Sequence, residues 1–98
     1  MEIINASRTL DKREIYALTR GQSISLKDVE DGVEITPDVW VLYTDTNTKG
    51  NEVEILSVKD SGGNVFTTNS PTFKDEFEYI ANLMSGEEYA VRVIKRQS

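Results

Sequence analysis

The residues of this sequence that could carry chemistry are aromatic and basic side chains on predicted strands. Aromatic rings offer faces on which nucleobases stack, and lysine or arginine side chains bind the phosphates between them. The candidate rings and cations are Trp40, Tyr43, Phe66 and Tyr89 with Lys49, Lys59, Arg92 and Lys95. This set predicts a surface for single-stranded nucleic acid, in which Tyr43, Phe66 and Trp40 stack bases and the four cations hold phosphates. The alternative for each ring is a place in the core.

Catalytic chemistry has little to build on, because the sequence contains neither histidine nor cysteine. Their absence removes Ser-His-Asp and Cys-His nucleophile systems and most transition-metal sites. The turn at residues 45–50 starts like a calcium-binding loop but has Lys49 where an oxygen ligand is needed. Two acidic pairs could do acid–base chemistry, namely Glu52 with Glu54 and Glu76 with Glu78. Their spacing is equally typical of a solvated face. We expect neither an enzyme nor a metal site.

The charge distribution limits the choice of partner. The chain has a formal charge of −6, which disfavours a polyanion, since Lys and Arg supply most nucleic-acid affinity. Residues 28–60 hold nine acids and two lysines, whereas Arg92, Lys95 and Arg96 lie in the last seven residues without an acid. The sequence therefore allows a basic zone on an acidic protein. The alternative is that these terminal charges are simply solvated.

Length and composition predict one small domain. With 98 residues, of which 38% are hydrophobic and 29% charged, the chain suits a single modest core and is too apolar for the disordered class. No apolar stretch approaches the ~20 residues that span a bilayer, and the first residues do not resemble a secretion signal. The lack of cysteine suits a reducing compartment. We expect a cytoplasmic protein without membrane contact.

A first helix is predicted over residues 11–19. Asp11 can accept a hydrogen bond from the backbone amide of Glu14, and the Glu14 side chain can reach back to the amide of Asp11. Gly21 is predicted to end the helix in the left-handed conformation. Residues 1–21 would then form a helical extension before the main part of the domain.

Four strands and a second helix are predicted in the rest of the chain. Residues 39–43 are continuously apolar, which predicts a central strand buried on both faces. In the next strand the apolar phase changes between Ile55 and Leu56, which indicates a bulge or burial on two sides. The predicted strands cover residues 33–43, 52–59, 65–69 and 88–95. The helical stripe, with Thr72 as its predicted N-cap, is Phe73, Phe77, Ile80, Ala81 and Met84.

The predicted order α-β-β-β-α-β indicates a mainly β, α+β fold in a single domain, residues 1–98. Three antiparallel strands, a covering helix and a returning strand make most of a five-stranded Greek-key barrel of the oligonucleotide-binding type. The sequence has no clear fifth barrel strand to follow residues 88–95. Because an open sheet edge has to be covered or paired, we expect residues 1–5, a second copy of the chain or a partner protein to occupy that position.

Short runs across nearly the whole chain carry a family pattern. They are Met1-Glu2-Ile3-Ile4-Asn5-Ala6-Ser7, Lys12-Arg13-Glu14-Ile15-Tyr16, Trp40-Val41-Leu42-Tyr43, Asp45-Thr46-Asn47-Thr48-Lys49-Gly50, Glu54-Ile55-Leu56-Ser57, Gly63-Asn64-Val65-Phe66 and Thr72-Phe73-x-x-x-Phe77. This pattern resembles small single-stranded-DNA-binding proteins encoded by phages of Gram-positive bacteria. Such relatives continue past the fourth strand with a Ser/Gly-rich turn and a fifth strand, whereas this sequence ends at Arg96-Gln97-Ser98.

The resemblance implies an oligonucleotide-binding fold, no cofactor, a place in the host cytoplasm and protection of displaced single strands during phage DNA replication. Our leading hypothesis is accordingly single-stranded DNA binding without sequence preference, by the rings and cations named above. The alternative is an acidic phage interaction module on a degenerate oligonucleotide-binding fold. Its acidic middle stretch or its open sheet edge would bind a host protein.

Overall fold

The computed structural model, which describes residues 1–95, is a mixed α+β fold with an open five-stranded sheet and two helices. The sheet has the strand order β1-β4-β5-β6-β2, and β3 pairs with β7 in a separate two-stranded sheet. The elements in chain order are β1 (Glu2–Ala6), α1 (Lys12–Thr19), β2 (Ile24–Ser25), β3 (Glu34–Ile35), β4 (Pro37–Thr46), β5 (Glu52–Asp60), β6 (Val65–Thr68), α2 (Pro71–Leu83) and β7 (Val91–Arg92). The predicted mainly β, α+β character is confirmed.

Strand β4 is an interior strand of the sheet, with β1 on one side and β5 on the other. Its residues Val39, Val41 and Tyr43 pack with Leu18 of α1, whereas Trp40 and Leu42 pack with Phe77 of α2. All five strand residues are buried. The predicted strand with two buried faces is confirmed, since each face of the sheet has its own helix and its own hydrophobic cluster.

The change of apolar phase in β5 reflects burial on two sides. Ile55 packs in the cluster on the α1 face, whereas Leu56 and Val58 lie in the cluster on the α2 face. The pairing of β4 with β5 runs without a register shift through this point. Ser57 lies between Leu56 and Val58 and is fully buried. Its hydroxyl donates a hydrogen bond to the carbonyl of Leu18 at 2.7 Å.

Helix α1 begins as predicted and ends differently. Asp11 is the N-cap, and the reciprocal hydrogen bonds with Glu14 are both present. Gly21 was expected in the left-handed region but does not lie there. Glycine is needed at this position for space, because a Cβ atom would lie 2.6 Å from the carbonyl oxygen of Ala17.

The N-cap of helix α2 lies two residues before the predicted one. Ser70 is the N-cap and accepts a hydrogen bond from the amide of Phe73, so Thr72 lies inside the first turn after Pro71. Proline suits the first helical position because its missing N–H would have no partner there. Of the predicted apolar stripe, Phe73, Phe77, Ile80 and Ala81 pack in the core cluster, whereas Met84 is the C-cap and is not part of it. The Phe77 ring meets Trp40 edge-on, with centroids 5.7 Å apart.

The two ends of the described chain differ from expectation. The strand predicted over residues 88–95 is reduced to β7, which pairs antiparallel with β3 alone. Beyond β7, Val93 continues the contact by donating to the carbonyl of Val33 at 2.8 Å. The N-terminal segment is an edge strand, β1, but it pairs with β4. It therefore does not occupy the position beside residues 91–95.

Candidate functional site

An open cleft of about 850 Å³ lies between α2 and the C-terminal segment, residues 91–95. Three separate parts of the chain line it: the residues after β2, the connection from β6 into α2 with the first turns of that helix, and β7 with the residues that follow. The lining side chains are Leu26, Lys27, Thr68, Asn69, Ser70, Thr72, Phe73, Glu76, Phe77, Ile80, Val91, Arg92, Val93, Ile94 and Lys95. The cleft is the candidate functional site.

The floor of the cleft is apolar and includes two stacked rings. Phe73 and Phe77 lie one helical turn apart on α2, so their side chains meet on one face. Their ring centroids are 6.3 Å apart with an angle of 18° between the planes. Phe77 is buried, whereas Phe73 is only partly buried. Phe73 is therefore the ring of this floor that a ligand can contact.

Three basic side chains and one acidic side chain line the cleft. Lys27, Arg92 and Lys95 contribute positive charge and Glu76 negative charge. The Arg92 guanidinium donates to Glu34 at 2.8 Å, and this hydrogen bond raises the pKa of Arg92. Glu34 contacts Arg92 and Asp31 contacts the Lys95 amide, so the excess of positive charge is confined to the side chains that line the cleft.

Lys95 links the two walls of the cleft. Its ammonium group donates to the backbone carbonyl of Lys27 at 2.6 Å, and its backbone amide donates to a carboxylate oxygen of Asp31 at 2.6 Å. The Lys95 side chain thus joins the C-terminal segment to the residues after β2, and both segments line the cleft. A smaller hollow of about 210 Å³ shares Lys27 and reaches Val53 and Ile55 of β5.

The rings expected to stack bases lie in the core. Trp40, Tyr43 and Phe66 are 5%, 3% and 8% exposed, with Trp40 and Phe66 on the α2 face and Tyr43 on the α1 face. Burial raises the pKa of Tyr43. No base can reach these ring faces in the described arrangement, because a helix covers each face of β4 and Phe66 of β6 is buried in the same cluster as Phe77 of α2. Tyr89 is partly buried and packs against the α2-side core.

The predicted cations are divided between the cleft and other surfaces. Arg92 and Lys95 line the cleft. Lys49 lies in the β4–β5 turn, and Lys59 lies near Glu14 on the α1 side of the sheet. Neither of these two contributes to the cleft lining. Arg96, the remaining basic residue of the C-terminal group, lies outside the described residues.

Two cleft residues, Lys27 and Phe73, were absent from the predicted site. In the sequence, Phe73 belongs to an apolar helical stripe, and residues in such a stripe usually pack in the core. Lys27 lies in a stretch without clear periodicity. Neither position carries a local signal of ligand contact, since the cleft forms only when the three segments come together.

Across residues 1–95, no cluster of three or more acidic side chains has the geometry to hold a metal ion. Neither helix of the described chain is long and apolar enough to cross a membrane. Comparisons of this chain with protein-family models, with curated proteins and with solved structures give no match.

Proposed function

We propose that this chain binds single-stranded DNA without sequence preference, in the cleft between α2 and residues 91–95. The observation that carries the proposal is the joint presence of an accessible apolar floor and three cations on an acidic chain. Single-strand binding uses this combination, because bases need an apolar surface and the backbone needs positive charge. The rings of the strands are not part of this proposal.

Phe73 supplies the stacking surface in the proposed complex. A base laid on an aromatic side chain contributes about 1–3 kcal/mol. Phe73 already rests on Phe77, so its ring is held in place before DNA arrives. A fixed ring loses little conformational entropy on binding, which favours affinity.

The cleft cations would hold phosphates. Arg92 exchanges its partner in the proposed complex, from the Glu34 carboxylate to a phosphate. Both side chains of that ion pair are more than half exposed, and exposed pairs contribute only about 0–1 kcal/mol. The exchange therefore costs little. Lys27 and Lys95 flank the same opening and extend the positive charge along it.

The finer architecture that we propose is a partial barrel of the oligonucleotide-binding type. Residues 34–46 supply β3 and β4 with a break at Thr36, so one bent stretch joins both sheets. The meander β4-β5-β6, the crossing helix α2 and the returning strand β7 follow in the order that such barrels use. In this proposal the cleft corresponds to the position of a fifth strand, between β2 and β7.

The acidic middle stretch offers less support for the alternative, an interaction module that uses acidic surface. Five of the nine acids between residues 28 and 60 already have partners within the chain. These partners are cations, backbone amides or the residues of a turn. The five acids are Asp31, Glu34, Asp45, Glu54 and Asp60. DNA binding in the cleft is therefore the function that we favour.

The test measures the affinity of labelled oligo-dT for the chain by fluorescence anisotropy across a series of salt concentrations. Three phosphate contacts predict a slope of about −2 in a plot of log affinity against log salt concentration. The double variant Lys27→Gln/Lys95→Gln should flatten this slope to about −0.7. Phe73→Ala should weaken binding by about tenfold or more at every salt concentration, because one stacking contact is lost.

Lys49→Gln is the matched control, because it removes one positive charge at an exposed turn away from the cleft. It should leave both the slope and the affinity nearly unchanged. The proposal fails if folded wild-type chain shows no saturable binding at low salt. It also fails if Lys49→Gln reduces binding as much as the cleft variants do.

A further inference from the structure

Strand β5 extends past the end of β6, and the small hollow lies beside the part that extends. The last pair between the two strands is Leu56 opposite Thr68, so residues 52–55 have no strand on that side within residues 1–95. Ile55 belongs to the cluster on the α1 face, and Val53, two residues before it, points to the same face. The floor of the hollow therefore lies on the α1 face of the sheet, whereas the floor of the cleft lies on the α2 face.

The hollow and the cleft meet at three residues. Lys27, Thr68 and Asn69 line both of them. Thr67 lines the hollow alone, since neighbouring residues of a strand point to opposite faces. Asn69, which follows β6, and Lys27, which follows β2, are both exposed. A chain-like ligand that passes over these residues connects the two spaces.

The lining of the hollow suits a nucleotide. Lys27 is the one charged side chain among its described lining residues, so no acid of this lining faces a phosphate. Asp45, which lies opposite Val53 on β4, forms an ion pair with Arg20 at 3.4 Å. The floor is apolar and only partly buried at both Val53 and Ile55. The hydroxyl and amide groups around it belong to Ser25, Thr67, Thr68 and Asn69.

Hydrogen bonds hold the border of the hollow in place. The Lys27 amide donates to the Ser25 hydroxyl at 3.3 Å, and the Lys27 carbonyl accepts from Lys95 at 2.6 Å. On β5, the carbonyl of Glu54 accepts from the Lys74 ammonium group at 2.9 Å, which satisfies a backbone group beyond the end of β6. A site whose backbone is already fixed loses little conformational entropy when a ligand binds.

We propose that single-stranded DNA bound in the cleft continues over Lys27 and Asn69 into this hollow, an inference that rests on the proposed function. One base lies on Phe73, another base of the same strand packs on Val53 and Ile55, and a phosphate between them lies at Lys27. The hollow of about 210 Å³ is smaller than the ~300 Å³ of the smallest pockets for whole ligands. It therefore suits one base of a strand and no larger ligand.

The first test compares the affinity of labelled oligo-dT for the full chain and for Val53→Gln by fluorescence anisotropy. The substitution should weaken binding at least about threefold, because a polar side chain replaces part of the apolar floor. The salt dependence should stay that of the wild type, since no charge changes. Val53 belongs to neither hydrophobic cluster of the described chain, so the fold should be retained.

Ile4→Gln is the matched control, because it makes the same kind of exchange at an exposed isoleucine of β1, outside the lining of both spaces. It should change the affinity by less than about twofold. Equal weakening by the two substitutions would overturn the extension into the hollow. So would wild-type affinity in Val53→Gln with a native circular dichroism spectrum.

The second test needs no variant. Isotope-labelled wild-type chain is titrated with oligo-dT, and the amide resonances are followed by NMR spectroscopy. The amides of Val53, Ile55 and Thr67 should shift at the same DNA concentration as that of Phe73. Shifts confined to the cleft would overturn the extension and leave DNA binding in the cleft intact, whereas the absence of any shift would overturn both proposals.

Discussion

Two buried polar side chains, Ser57 and Lys74, join the helices to the sheet through backbone carbonyls. Ser57 lies on β5 and donates to Leu18 of α1, and Lys74 lies on α2 and donates to Glu54 of β5 at 2.9 Å. Across the described chain, no buried side-chain nitrogen or oxygen lacks a partner. Buried polar groups of this kind specify position, because an unpaired one is costly.

Replacing Ser57 with alanine should destabilise the protein by about 1–3 kcal/mol, because the Leu18 carbonyl loses its side-chain donor in a buried place. The measurement is the free energy of unfolding from urea titration, followed by Trp40 fluorescence. Ser61→Ala is the control, since Ser61 is exposed, and it should change stability by less than about 0.5 kcal/mol. Equal effects of the two substitutions would contradict the role assigned to the Ser57 hydroxyl.

The positions of single rings were the part of the site that sequence predicted least well. Trp40 and Tyr43 belong to the apolar run that also predicted a strand buried on both faces, and this second prediction is the one the fold obeys. On a strand that is buried on both faces, an aromatic ring lies in the core whichever face it is on. Phe73 shows the converse, because a helix residue at the border of its apolar face is partly exposed.

At the scale of elements, α1 depends on electrostatics at its start. Glu14 completes the capping box with Asp11 and also forms an ion pair with Arg8. The hydrogen bond from Arg8, followed by that from the Asp11 amide, lowers the pKa of Glu14 to about 2. A carboxyl group with a lowered pKa in the folded state stabilises that state above its unfolded pKa, and the stabilisation is lost as the pH falls.

The wild-type chain should therefore lose a component of its stability between about pH 4.5 and pH 2 that Glu14→Gln lacks. The measurement is the difference in unfolding free energy between the two proteins across that range, at low and at high salt. The difference should shrink toward the acid end. It should also be smaller at high salt, because the pair with Arg8 is exposed. A difference that stays constant with pH would contradict the pKa of Glu14.

Local signals predicted the elements well where the cause of structure is local. The capping box and the strand after the β4–β5 turn depend on near neighbours in sequence, and the continuous apolar run of β4 is a local signal although distant helices cover it. The predictions that failed depend on distant contacts. The strand over residues 88–95 shrank to β7 because only the two residues of β3 pair with it. Glycine is required at position 21 because the carbonyl of Ala17 leaves no space for a Cβ atom, and not because the backbone has a positive φ.

At the scale of the whole molecule, the cleft could not be predicted from any one segment. Residues 26–27, 68–80 and 91–95 contribute to it, and each segment alone has an ordinary pattern. The pairing of β1 with β4 could not be predicted either, because the sequence of an edge strand does not indicate which strand lies beside it. The unfilled position beside the C-terminal strand stays a prediction of the sequence, whereas the surface of the cleft could be described only from the fold.

Hydrogen exchange should distinguish the interior strands of the sheet from its edges. Amides of β4 and β5 should exchange most slowly, because these strands have neighbours on both sides. Amides of the edge strands β1 and β2 should exchange faster, because within the described chain each of them pairs on one side only. Peptide-level mass spectrometry measures both. Equal protection of edge and interior strands would contradict this strand order.

The break at Thr36 also sets an order in time. The β4–β5 turn closes over a few residues, whereas β3 and β7 bring together Ile35 and Val91, more than 50 residues apart. Closing the longer loop costs about 2 kcal/mol more chain entropy, and such distant pairings slow folding. During refolding we therefore expect the meander to form before the β3–β7 pair. The cleft, which needs residues 91–95 in place, should then form after the meander.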